Sequence, residues 1–293
     1  MTNLEKKIEE ILPELVEIMK DFHRHPELGF EEHYTAERVA GLLRKWGYEV
    51  TEGIGGTGVM GVMGGALPGP TLALRACLDA LEITEQTGVD YASENPGKMH
   101  ACGHDGNMTV TLGAARILAR YREGLKGNLK FIFQPSEENT GGAIKMVEAG
   151  CLKNPDVDAI ITPHIWHEVP KCCIGMKPGH VMASGDLFTL KVHGTAGHGA
   201  WPHLCVDPLP VAAELILALQ KIISREVDPM TPACLTIGKV EYGAAANIVA
   251  DTVTLYGAVR TFDSGMRAFI EKRIEEIADG VTRSSRASYS LEY

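Results

Sequence analysis

Three short apolar runs, each followed closely by ionisable side chains, constrain the fold of this chain more than any other feature. TLALRA (71–76) leads into Cys77 and Asp79, NLKFIFQ (128–134) into Glu137 and Glu138, and VDAIIT (157–162) into His164. Apolar runs of this length read as strands. Apolar periodicity and capping signals predict helices over 3–22, 32–46, 107–122 and 141–149. Strands alternating with helices imply an α/β layer with much parallel pairing. Ligands of such sheets bind beyond the carboxyl ends of the strands. Three strands are therefore expected to deliver ionisable groups to one edge.

The second half has a different rhythm. Strands are predicted over 186–194, 233–241, 251–260 and 287–293, with helices over 206–225 and 263–285. The order β-α-β-β-α-β is that of a split ferredoxin-like unit. The Gly- and Pro-containing GMKPGHVMASG places a boundary near 180–186, giving domains of 1–183 and 184–293. GIGGTG (53–58) matches a dinucleotide-binding glycine pattern, with Asp79 downstream. The VMGVMGGALPGP that follows cannot open a good helix, so the stretch reads as strand and turns.

Composition removes several function classes. A net charge of −10 without a basic block argues against nucleic acid, since phosphate contacts need clustered Lys and Arg. The N-terminal 30 residues carry Leu4, Ile8, Leu12, Leu15 and Met19 at helical spacing with charges between, unlike a secretory signal. No apolar run is long enough for a bilayer, and a cytoplasmic location is expected. Seven cysteines, an odd count in a long chain, suit reduced thiols better than a disulfide framework. Cys151, Cys205 and Cys234 read as small buried or half-buried residues.

KMHACGHDGN (98–107) sets Cys102 and His104 in a glycine-containing turn. Thiolate, imidazole and carboxylate together make metal sites. Of Glu137 and Glu138, one could bind metal while the other serves as general base. A lone His164 is more often structural, and a Glu pair is often a solvated helix start. Their convergence at one sheet edge favours a metal centre. His100 and Asp105 read as supporting neighbours.

MHACGHDGN, FIFQPSEENTGGA, ITPHIW, GTAGHGAWPH, DPLPVAAELILALQKIISR, AAANIVADTVTLYGAVRTFD and the N-terminal FHRHPELGFEE follow one another along nearly the whole chain. In these motifs it resembles the dinuclear-metal aminoacylase/carboxypeptidase-type amidohydrolases. Within them it is similar to the N-acyl-amino-acid branch that includes hippurate hydrolase and indole-acetyl-amino-acid hydrolases. The resemblance implies two divalent ions per chain (Zn, Mn, Co or Ni), ligated by Cys102, His104, Glu138 and His164. It makes Glu137 the general base and Asp79 a carboxylate that orients a ligand. It makes 184–293 a lid that also forms a homodimer, through which His198 reaches the partner subunit's site to stabilise the oxyanion. Asn247 and Arg260 would hold the substrate, an N-acyl or N-aroyl amino acid, the planar Arg fork suiting a carboxylate.

Four departures stand out. CLDALE replaces the family's Asp-x-Asp-Ala-Leu-Pro, so Cys77 stands for Asp and Glu82 for Pro. Cys77 is either an added soft ligand or, the favoured reading, a packing change. Asn107 stands where His is common, and GAAAN where Gly-Gly precedes the Asn. The chain also stops where relatives return to the first domain with further strands, a helix and one more ligand His. An incomplete catalytic domain, an unfilled ligand position and an exposed apolar surface are therefore expected. The alternative to an amidohydrolase is thus an inactive fragment that at most binds metal and dimerises. A thiol hydrolase with Cys102 as nucleophile and His104 as base is disfavoured, because residues two apart in a tight turn pair poorly.

Overall fold

The computed structural model describes residues 3–138 and 141–293. The chain forms two compact units, Met1–Cys173 and Ile174–Tyr293. The stretch 174–183, assigned to the first domain on sequence, belongs with the second unit, where the Lys177 ammonium lies over the Phe262 ring. Among the described residues no helix is long and apolar enough to cross a membrane.

The first unit runs α1 (Asn3–Arg24), α2 (His33–Lys45), β1 (Glu49–Ile54), β2 (Gly58–Gly64), β3 (Leu67–Cys77), α3 (His104–Ala119), β4 (Lys126–Gln134), α4 (Gly142–Glu148) and β5 (Ala159–Ile161). Its sheet has the order β1-β2-β4-β3-β5. β3 is parallel to both β4 and β5, while β1 and β2 are antiparallel. GIGGTG forms the β1–β2 hairpin, with Gly53, Gly55 and Gly56 at positive φ, and no helix follows it. β5 is shorter than its apolar run. Val157 N is tied to Leu152 O, and Asp158 turns its carboxylate onto Thr71 N at 2.7 Å.

Helix α1 buries Ile11, Ile18 and Phe22, while Leu4, Ile8 and Leu12 stay exposed. The buried stripe faces α3, where Gly113 admits Leu15; a Cβ there would lie 2.8 Å from Leu15 Cδ1. Phe131 and Phe133 of β4 lie in the same core. Lys130, just before Phe131 and on the opposite face, is fully buried. Its ammonium donates to the carbonyls of Cys151 (3.1 Å), Lys153 (2.8 Å) and Pro155 (2.9 Å), which satisfies the charge without a carboxylate.

The second unit runs β6 (Ser184–His193), β7 (Gly197–His198), α5 (Pro208–Lys221), β8 (Ala233–Tyr242), β9 (Ile248–Val249), β10 (Thr252–Thr261), α6 (Ser264–Ser284) and β11 (Ser288–Glu292). Its main sheet is antiparallel with the order β11-β6-β10-β8, and β7 and β9 form a small ribbon. The helices are capped as their sequences suggest: Asp207 accepts from Leu209 N at 3.0 Å and Asp263 from Met266 N at 2.8 Å. The predicted helix over 206–225 gives way to a π-turn at Ile222–Glu226. Cys234, expected to be at least half buried, is exposed. It lies on the edge strand β8, on the face opposite the buried Leu235.

Candidate active site in the first unit

Every metal-ligand candidate lies in the first unit. β3 ends at Cys77, and Asp79 follows with no exposed surface. β4 ends at Gln134, and the turn beyond it carries Glu137 and Glu138. His164 follows β5. α3 begins three residues earlier than its apolar pattern predicts, so that His104 is its first residue. Gly103, at φ 80°, supplies the left-handed entry, and Asp105 in the first turn suits the positive helix end.

The two imidazoles are oriented alike. His104 Nδ1 donates to the Asp79 carbonyl at 2.7 Å, and His164 Nδ1 to its neighbour's carbonyl, Ile165 O, also at 2.7 Å. Each acceptor fixes the tautomer and leaves Nε2 for a ligand, an arrangement typical of metal-binding histidines. His104 Nε2 faces Glu137 Oε2 and Glu138 Oε1, both at 3.9 Å. Cys102 Sγ lies 3.6 Å from His164 Nε2. Sulfur and nitrogen bound at ordinary zinc distances at a tetrahedral angle would be about 3.6 Å apart. Cys102, His104 and His164 offer donor atoms within 4.8 Å of one another, and Cys77, His104 and Glu137 do the same.

These groups fit a cation. Glu138 Oε1 is buried without a hydrogen bond, an arrangement costly for an oxygen that has no other partner. Burial disfavours a charged His104, but the Asp79 carboxylate, the Cys102 sulfur and the Asp79 carbonyl outweigh it and push the ring up to about 10. Its Nε2 face thus calls for positive charge, as a proton or a metal. Burial also works against an ionised Asp79, yet His104 and the N–H groups of Glu138 and Glu137 hold its carboxyl below the usual range. Burial pushes the Cys77 thiol up to about 12.

Surrounding residues set the geometry. Asp79 Oδ2 accepts from Glu138 N at 2.8 Å. Asn107 Oδ1 accepts from Ile165 N at 2.8 Å and so fixes the residue after His164. Asp105 bonds His23 Nδ1 at 2.7 Å rather than turning toward the donor cluster. Sequence reading missed Glu32, which is fully buried. Its Oε1 accepts from Ser136 N at 2.8 Å and its Oε2 from the Thr57 hydroxyl. Ser136 sits at φ 44°, immediately before Glu137. The only sequence signal for Glu32 is its place in FHRHPELGFEE.

The remaining candidates lie in the second unit. The β7–β9 ribbon pairs His198 with Ile248, and Gly199 N donates to Asn247 O at 2.9 Å, so His198 and Asn247 are brought close. His198 is exposed, and its Nδ1 accepts from Ala200 N at 3.1 Å. Arg260 pairs with Gly185 in register, at the opposite end of β10 from Thr252 and its partner His193.

Known proteins resemble this chain over most of its length. An N-acyl-L-amino acid amidohydrolase of Geobacillus stearothermophilus is 37% identical over 291 residues, covering 99% of this chain and 78% of its own length. A hippurate hydrolase of Campylobacter jejuni is 40% identical over 285 residues, 94% of this chain and 73% of its own. The crystal structure of the Bacillus subtilis YXEP protein, described as a dinuclear metal binding peptidase, superposes with a TM-score of 0.82 at 33% identity, covering 97% of this chain and 74% of that one. The profile of peptidase family M20/M25/M40 matches residues 73–289, and the chain belongs to that family.

Proposed function

We propose that this protein hydrolyses the amide bond of N-acyl or N-aroyl amino acids in a metal-dependent reaction. One observation carries the reading. His104 Nε2 faces two carboxylates across 3.9 Å, beside an unpartnered Glu138 Oε1 and a Cys102–His164 pair 3.6 Å apart. Relatives that are amidohydrolases of N-acyl amino acids support the substrate class. They also favour an enzyme over an inactive fragment.

Cys102, His104, Glu138 and His164 would hold divalent ions, which supply Lewis acidity and ease ionisation of water at neutral pH. Glu137 is the most exposed of the carboxylates there, its side chain 43% accessible against 19% for Glu138. It takes the proton of the attacking water and passes it to the leaving nitrogen. Asp79 keeps His104 and Glu138 in place through the contacts described above. The second unit acts as lid and dimerisation domain. Because Nδ1 of His198 accepts a hydrogen bond, its Nε2 carries the hydrogen and is suited to stabilise a developing oxyanion in the partner subunit. Asn247 and Arg260 bind the substrate, Arg260 through its carboxylate.

Metal analysis and hydrolysis of benzoyl-glycine test the reading. The expected result is about two divalent ions per chain, with activity lost on chelation and restored by metal. Glu137→Gln should keep the metal and lose hydrolysis. Full activity after chelation would overturn the metal-dependent reading, and an active Glu137→Gln would remove the assigned base. Metal binding without hydrolysis would favour the inactive alternative.

A further inference from the structure

Cys77 is a donor near the site to which the proposed reaction gives no work. It ends β3 and is 4% exposed, yet it does not pack as its neighbours do. Ala76 and Leu78 on either side belong to the main apolar cluster, while Cys77 belongs to none of the apolar clusters. Its sulfur makes no hydrogen bond among the described residues. It keeps company with His104 and Glu137, all three donor atoms lying within 4.8 Å of one another. His104 also belongs to the set formed with Cys102 and His164. Its Nδ1 is committed to the Asp79 carbonyl, which leaves Nε2 for a cation. Cys77 and Cys102 thus belong to two donor sets that share His104.

We infer that Cys77 is a second sulfur ligand of the metal centre, and that the centre therefore prefers thiophilic divalent cations such as cadmium, zinc or cobalt over manganese. This rests on the metal-centre reading above. On binding, the Cys77 thiol proton leaves to solvent as the metal–sulfur bond forms, with no change of oxidation state. Soft thiolate donors raise affinity for soft and borderline ions, while oxygen-rich sites suit manganese.

Cadmium titration of the metal-free full-length protein tests this, read by sulfur-to-cadmium charge-transfer absorption in the near ultraviolet. The exposed Cys172, Cys173 and Cys234 are first replaced by Ser to remove surface thiols from the signal. In that background, Cys77→Ser and Cys102→Ser should each lower the absorption by about half, and the double variant should abolish it. Cys77→Asp replaces sulfur with a hard ligand. It should lose the same absorption while its manganese-to-cadmium affinity ratio rises roughly tenfold or more. Circular dichroism confirms that each variant is folded, and the two Cys77 substitutions guard against misfolding of either one. If Cys77→Ser leaves the absorption intact while Cys102→Ser abolishes it, Cys77 is a packing residue and the inference fails, with the metal centre standing. If the parent background shows no charge transfer on binding cadmium, neither sulfur ligates and the metal-centre reading falls with the inference.

Discussion

Replacing Glu32 by Ala tests whether the Glu137 turn is held from beneath. Glu32 is fully buried, and its two oxygens accept from Ser136 N at 2.8 Å and from the Thr57 hydroxyl. Truncation leaves the Ser136 N–H and the Thr57 O–H without that acceptor. Each unmet donor costs about 1–3 kcal/mol, so a loss of roughly 2–6 kcal/mol is expected. Asp79 holds the far side of the turn through Glu138 N, but at Ser136 the backbone is in the left-handed region and the Oγ is buried without a partner. Released, the turn would let Glu137 drift, and a displacement of about 1 Å can cost on the order of a hundredfold in rate. Glu32→Gln keeps one oxygen for Ser136 N and can donate its amide to Thr57, so it should stay within about 1 kcal/mol of the wild type. Burial, against the pull of its two donors, raises the Glu32 carboxyl above its ordinary value. The folded state therefore binds its proton more tightly than the unfolded state. The stability from this group is full at low pH and falls as pH rises from the ordinary carboxyl value through the raised one. Glu32→Gln removes that fall, so it should gain on the wild type as pH rises through this window. Urea midpoints read the stability, and kcat with KM for benzoyl-glycine read the turn. A Glu32→Ala protein with the wild-type midpoint and kcat would refute the reasoning.

Lys130→Met should lower stability by about 3–5 kcal/mol in urea, because three carbonyls lose an ammonium donor at once; a change under about 1 kcal/mol would show that the cage is not stabilising. His23 is raised chiefly by its hydrogen bond to Asp105, with burial opposing and Glu85 assisting. Its stabilisation should be full below its ordinary value and lost as pH climbs through the raised one. Midpoints of wild type and His23→Gln should therefore converge at alkaline pH, and a gap independent of pH would refute this. Gly29→Ala would place a Cβ 2.5 Å from Ser136 Oγ, so it should lower kcat by displacing the Glu137 turn; unchanged kcat would show that the turn yields freely. Chelation should lower the thermal midpoint, since a ligand of the native state stabilises by mass action; an unchanged midpoint at saturating metal would mean that no tight site exists.

β3 and β4 are legible because each joins an apolar run to a turn, and the strand-end argument brings Asp79, Glu137, Glu138 and His164 toward Cys102 and His104 from the sequence alone. What the sequence hid follows from how partners are chosen. Glu32 and Ser136 are far apart along the chain, and no periodicity marks a carboxylate that serves a distant backbone N–H. Cys77 stays open on sequence between soft ligand and packing, because His104 and Glu137, the donors beside it, come from distant parts of the chain. Asn107 stands where His is common, and what it holds, Ile165 N beside His164, lies far along the chain. The start of α3 at His104 depends on the left-handed Gly103, where the apolar pattern begins later. Cys234 escaped because exposure at an edge strand is decided by which strands lie beside it.

The parallel pairing of β3 with β4 and β5 also fixes when the donors meet. In the unfolded chain Cys102 and His104 are near neighbours, whereas Glu138 and His164 are held at a distance by long loops whose closure is entropically unfavourable. A cation arriving early finds a two-donor site and leaves quickly. Once the strands have paired through β3, sheet hydrogen bonds and the buried β4 core have already brought the strand ends together. If the strands pair in this way without the ion, metal exchange can proceed on a native scaffold. The cell's supply of metal would then set how much protein is active, not how much is folded.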